Sequence, residues 1–93
     1  MMRRDGQRLV LNGPVTLATH VVLRDAVTAQ LGDTALSVDW HAVDAVDSSA
    51  LCLILHWRRE AAARGTRVSQ ENLPAGLTAL AQLYGVSEMI VQA

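Results

Sequence analysis

The hydrophobic period changes once within residues 35–64, and this change limits the possible folds more than any other feature. Residues 35–39 alternate, with Leu36 and Val38 apolar against Ser37 and Asp39, which predicts a half-buried strand. Residues 49–64 follow a helical period instead, with apolar side chains at Ala50, Leu53, Ile54, Trp57 and Ala61. A strand that leads into an amphipathic helix is typical of an α/β fold, with residues 43–46 as the connection.

The segments on either side predict further strands and helices. Residues 8–11 and 15–17 predict two strands of a hairpin, joined by a turn at Asn12-Gly13-Pro14. Thr19 can cap a helix over residues 20–31, and Gly32 can end that helix in a left-handed conformation. Gly65 should end the helix that starts at residue 49 in the same way, and residues 66–70 predict another strand.

The C-terminal part predicts a third helix that starts near Pro74 and ends at Gly85. Its expected buried face comprises Leu77, Leu80, Ala81 and Tyr84. Residues 86–91 fit either a last helical turn or a short strand. The predicted order is β-β-α-β-α-β-α, which indicates a small α/β domain with a mixed sheet and helices mainly on one face.

Composition limits the class of protein. A chain of 93 residues predicts a single domain over residues 1–93, with an ordered core at about residues 8–90. A net charge of −1 gives no field that would attract nucleic acid. Cys52 is the only cysteine, which fits a reducing compartment. The longest apolar run, residues 50–55, is too short to enter a bilayer, so we expect a cytoplasmic protein without direct membrane insertion.

Asp47-Ser48-Ser49 lies where the strand pattern gives way to the helix. Asp47 or Ser48 can simply cap the first helical turn through a side-chain oxygen. Alternatively, Ser48 presents an exposed hydroxyl that a kinase could modify, since a phosphate is favourable at a helix N-terminus.

The sequence Val46-Asp47-Ser48-Ser49-Ala50-Leu51, after a β-β-α-β lead-in, resembles the core motif of STAS domains. The Leu83-Tyr84 pair at the end of the third helix is similar to the MlaB-like branch, found in phospholipid-transporting ABC complexes. The resemblance implies a non-enzymatic module that binds the cytosolic ATPase subunit of such a complex through Ser48, peripheral to the inner membrane. The second alternative that it implies is an anti-sigma factor antagonist, in which a kinase-type anti-sigma factor phosphorylates Ser48 and so blocks binding.

The resemblance also suggests a contact surface around the helix start, comprising Asp47, Ser48, Ser49, Leu51, Leu55 and Arg58. Leu51 and Leu55 lie outside the core stripe of their helix, so we expect them to be partly exposed. Either the first helix covers them inside the domain or a partner does. An exposed apolar patch of this kind could also allow a homodimer.

The residues give little support for catalysis, a metal or a cofactor. Cys52 and His56 are one helical turn apart, but a cysteine in an apolar run is usually inert core. His20, His41 and His56 lack the spacing of metal ligands, and no glycine-rich phosphate loop follows a strand. We therefore expect no catalytic residues, no metal and no cofactor.

Overall fold

The computed structural model describes residues 1–91. Over these residues the chain forms one mixed sheet with four helices. The strands are β1 (Met2–Asp5), β2 (Arg8–Val15), β3 (Leu36–Val46) and β4 (Val68–Glu71), in the spatial order β1-β2-β3-β4. The helices are α1 (His20–Thr28), α2 (Ser49–Ala63), α3 (Ala75–Leu83) and α4 (Ser87–Val91), and a 3₁₀ helix (Leu17–Thr19) precedes α1. β1 is antiparallel to β2, whereas β2, β3 and β4 are parallel. The predicted α/β class and mixed sheet are therefore confirmed.

The hairpin lies earlier in the chain than the sequence predicted. It joins β1 to β2 through Gly6 and Gln7, and β2 continues through Asn12-Gly13-Pro14 without turning. Gly13 has a φ of 76°, and the pairing with β3 shifts register before Asn12 and again after Gly13; at both shifts the extra residue lies in β3, so β3 bulges opposite this segment. Pro14 is tolerated because β1 pairs only with residues 8–11, so no strand lies on the β1 side of Pro14.

Two other boundaries differ from the predictions, and the structure decides one alternative that the sequence left open. Residues 43–46 belong to β3, because they continue the parallel pairing with β2. α1 ends at Thr28, and Gly32 is not among the glycines with positive φ. Residues 87–91 form the helix α4, which settles the open alternative. The end of α2 agrees with the prediction, because Gly65 follows it with a φ of 70°.

All four helices pack on one face of the sheet. Leu9, Leu11, Val38 and Val68 point from the strands into one apolar core, together with side chains of every helix. On the opposite face Val10 lies beside Asp39, which is buried and accepts hydrogen bonds from Asn72 Nδ2 and the His41 backbone N–H. Burial raises the pKa of Asp39, but these hydrogen bonds and the nearby His41 ring outweigh it, and the pKa is lowered. The helix-free face is therefore polar.

Candidate functional site

The loop between β3 and α2 exposes Ser48 at the helix start. Ser48 is the N-cap residue, with φ and ψ of −63° and −18°, and its side chain makes no capping hydrogen bond. Its carbonyl oxygen accepts from the Leu51 N–H at 3.1 Å. The backbone of Ser48 thus takes part in the first helical turn, while its hydroxyl lies exposed to solvent.

The Asp47 carboxylate organises this loop. One of its oxygens accepts hydrogen bonds from the backbone N–H of Ser49, at 2.9 Å, and from the Ser49 hydroxyl. The other accepts the backbone N–H of Leu17, at 2.9 Å, and so ties the 3₁₀ helix to the start of α2. The hydrogen bond from the Ser49 hydroxyl is the largest cause that lowers the pKa of Asp47, followed by the one from Leu17. The sequence left open whether Asp47 or Ser48 caps the first helical turn, and the structure shows that the Asp47 carboxylate does.

The two serines of the motif consequently have different environments. Ser49 is half-buried and its hydroxyl is directed to Asp47, whereas Ser48 is exposed and its hydroxyl caps nothing. Ser48 is therefore the more accessible of the two serines. This distinction depends on side-chain geometry that adjacent serines in a sequence do not reveal.

α2 places the remaining predicted contact residues at different depths. Leu51 is only 4% exposed and belongs to the core, so the prediction that it is partly exposed is wrong. Leu55 is half-buried and Arg58 is partly exposed, and both line a surface groove. Cys52, expected to be core, is instead exposed, because it lies on the side of α2 turned away from the sheet.

Two adjoining cavities form the groove beside α2. One, of about 370 Å³, is lined by Leu55, Arg58, Arg59, Ala62 and Met89. The other, of about 300 Å³, is lined by Ser48, Leu51, Cys52, Leu55, Tyr84 and Val86. Both include Leu55, so we treat them as one apolar groove that runs from Ser48 to Ala62 along α2, with residues 84–89 as its second wall.

The structure adds site residues that sequence reasoning missed. Tyr84 was expected to be buried, but it is 58% exposed and faces the groove, because α3 ends at Leu83. Leu17 is 75% exposed, and its backbone N–H donates to Asp47 beside Ser48. No sequence pattern would have placed Leu17 near Ser48, because the link is a backbone hydrogen bond across 30 residues.

His41 and His56 lie in different parts of the domain. The His56 Nε2 atom lies 3.5 Å from the Thr28 hydroxyl of α1, and His41 Nδ1 lies 3.0 Å from Asp39 on the helix-free face. Among residues 1–91, no group of three His, Cys, Asp or Glu side chains could hold a metal ion. Over the same residues, no helix is long and apolar enough to cross a membrane.

Solved structures similar to the chain share its fold. The anti-sigma factor antagonist SpoIIAA in its unphosphorylated form matches with a TM-score of 0.67 at 16% identity, over 89% of this chain and 81% of its own. A putative anti-sigma factor antagonist from Thermotoga maritima matches with a TM-score of 0.77 at 11% identity, over 98% and 82%. A structure described as Mglu matches with a TM-score of 0.61 at 24% identity, but the chain covers only 20% of it. No curated protein sequence matches the chain.

The sequence itself matches one family model. That model is described as "Mlab, STAS domain" and covers residues 1–92. The exposed Ser48 at the start of α2 and the mixed sheet both fit the resemblance inferred from the Asp47-Ser48 motif. The chain therefore belongs to the STAS domain family.

Proposed function

We propose that this domain binds a partner protein through the surface around Ser48, and that the partner is the cytosolic ATPase of an MlaB-type phospholipid-transport ABC complex. One observation supports the site above all others. The Ser48 hydroxyl is exposed at a helix N-terminus, free of capping, and borders the apolar groove. A small exposed polar group beside an apolar depression is suited to the desolvated centre of a protein interface. The MlaB description of the matching family model supports the choice of partner.

The role of the domain is then contact without chemistry. Bound to the ATPase, it would stabilise one conformation or assembly of that subunit by mass action, since a ligand that prefers one state shifts the population towards it. The side chains around Ser48 bind in this proposal, and none transfers a group.

The variant Ser48→Asp tests the site. We expect it to fold normally, because an acid at a helix N-terminus is tolerated or mildly favourable. We expect it to bind the ATPase at least about tenfold more weakly, because the added charge loses its hydration in the interface. Thermal unfolding and size-exclusion binding on the same preparation measure both effects.

Thr34→Asp is a matched control for Ser48→Asp. It adds the same charge to an exposed position before β3, at the opposite end of that strand from Ser48. It should leave binding unchanged. Equal binding by Ser48→Asp and the parent chain would exclude Ser48 from the interface.

A second candidate function is that of an anti-sigma factor antagonist, and the two antagonist structures that share the fold favour it. In this case a kinase-type anti-sigma factor, rather than an ABC ATPase, would bind the same surface. Incubation with that kinase and ATP should add one phosphate to the parent chain and none to Ser48→Ala. Binding to the ATPase together with no phosphorylation favours the first candidate, and the opposite pair of results favours the second.

A further inference from the structure

α2 has a second stripe of residues that faces the groove instead of the core. This outer stripe consists of Ser48, Cys52, Leu55, Arg59 and Ala62, all of which line the groove. Successive members are spaced by 4, 3, 4 and 3 residues, the spacing with which one helix packs along another. Fourteen residues separate its ends, so the outer stripe is about 21 Å long, the length of four helical turns.

The shape of the groove favours a helix as the occupant. One wall is the outer stripe, and the other is formed by Tyr84, Val86 and Met89 at the end of α3 and in α4. An apolar groove along a helix of this length fits the apolar face of an amphipathic helix, which uses side chains at the same 3- and 4-residue spacing. An extended strand would need an open sheet edge with free N–H and C=O groups, and a helix surface provides none.

Charge determines what kind of helix fits. Arg58 and Arg59 both line the groove, and among residues 1–91 neither forms an ion pair. In contrast, Arg64 on the same helix pairs with Glu60 at 3.1 Å. Two free guanidinium groups at the rim of an apolar surface are complementary to carboxylates on the occupant. A second copy of this chain is a poorer match, since its outer stripe would contribute arginine and no carboxylate.

We propose that the groove between α2 and residues 84–89 binds an amphipathic helix of the partner, with acidic side chains flanking its apolar face. The inference rests on the proposed function, because it specifies which part of the partner occupies the surface beside Ser48. Leu55 lies at the centre of the contact, and Arg58 and Arg59 select acidic helices over basic ones.

Three synthetic helices test the proposal directly. Each is four turns long, held helical by a cross-link on its outer face, with leucine at the 4-3-4-3 positions and either Glu, Gln or Lys at the flanking positions. Fluorescence anisotropy at low salt should give the tightest binding for the Glu peptide, at least about fivefold tighter than for the Lys peptide. Two exposed ion pairs account for a difference in affinity of this size, and the preference for the Glu peptide should decrease as the salt concentration is raised.

The variant pair Arg58→Glu and Arg59→Glu, made together, should reverse this order and favour the Lys peptide. The matched control combines Arg3→Glu and Arg67→Glu, which change net charge equally at exposed positions outside the groove. The control should keep the original order. Leu55→Glu should abolish binding of all three peptides, with thermal unfolding as the check that it is folded.

Several results would overturn the proposal. One is that no peptide binds below about 1 mM, and another is that all three bind equally. A third is a dimer of the parent chain that Leu55→Glu dissociates, which would identify a second copy as the occupant. Loss of ATPase binding in Ser48→Asp with normal ATPase binding in the Arg58/Arg59 double variant would reject this inference and retain the proposed function. If the parent chain selects the Glu peptide as expected but does not bind the ATPase, the inference about the groove is retained and the proposed function is rejected.

Discussion

The core stripe and the outer stripe of α2 belong to one helix but have opposite relations to solvent. The core stripe, at Ala50, Leu53, Ile54, Trp57 and Ala61, is at most 1% exposed and packs on the sheet. The outer stripe is half-buried at Leu55 and exposed at Cys52 and Arg59. Each has a helical spacing, but the core stripe is apolar throughout, whereas the outer stripe includes Ser48 and Arg59. One face of the helix therefore stabilises the fold, while the other lines a surface groove.

The largest expected effect lies on the core stripe. Trp57 is fully buried, and its Nε1–H donates to the Arg24 carbonyl oxygen of α1 at 3.3 Å. Trp57→Ala should lower the free energy of unfolding by about 3–5 kcal/mol, because it leaves a cavity in the core. Urea unfolding measures the loss. A loss below about 1 kcal/mol would show that α2 does not pack on the sheet through this face.

Leu51 and Leu55 provide the sharpest comparison between the stripes. Leu51 is buried in the core, so Leu51→Ala should cost about 2–4 kcal/mol of unfolding free energy. Leu55 is half-buried in the groove wall, so Leu55→Ala should cost about 1 kcal/mol or less. Denaturant midpoints for the two variants, recorded side by side, test the difference. If both lose the same stability, Leu55 belongs to the core and the groove has no apolar centre.

The smallest expected loss of stability is at Asp47, beside the start of α2, and it depends on pH. Asp47→Ala should cost about 1 kcal/mol at pH 7, because the hydrogen bonds from Ser49 and Leu17 are lost. The lowered pKa of Asp47 means that its contribution is complete above the unfolded value of about 3.9 and is lost as pH falls through the folded value. The stability difference between parent and variant should therefore shrink below about pH 4.

Unfolding of both proteins at neutral and acidic pH measures this difference. Asp39 also has a lowered pKa, but it is present in both proteins and cancels in the comparison. A difference that stays constant down to pH 2 would mean that the Asp47 charge does not contribute to stability.

The sequence was sufficient to predict what local periodicity determines. The core stripe of α2, its end before Gly65 and the mixed sheet follow from apolar spacing and one glycine. β1 was missed because Met2–Asp5 is an edge strand whose residues are mostly exposed and do not alternate. The segment Asn12-Gly13-Pro14 has the composition of a turn, and only its parallel pairing with β3 identifies it as strand.

The start of α2 was predictable in position, but the environment of the side chains around it was not. The Asp47-Ser48 motif located the helix start, whereas burial of Leu51 and exposure of Cys52 and Tyr84 depend on how the helices pack together. Helix packing is a non-local property, and residues 51 and 55 have equivalent positions in the sequence pattern. The choice between Ser48 and Asp47 as the capping group likewise required the side-chain positions.

The hydrogen bond from the Leu17 N–H to Asp47 makes one backbone amide a natural reporter for the Ser48 loop. The Leu17 side chain is exposed, so its amide proton would exchange quickly with solvent if the carboxylate did not hold it. Any event that moves Asp47, including modification of Ser48 next to it, should alter the exchange rate and the chemical shift of this amide. Spectroscopy of Leu17 could therefore follow occupancy of the loop without a label on the site itself.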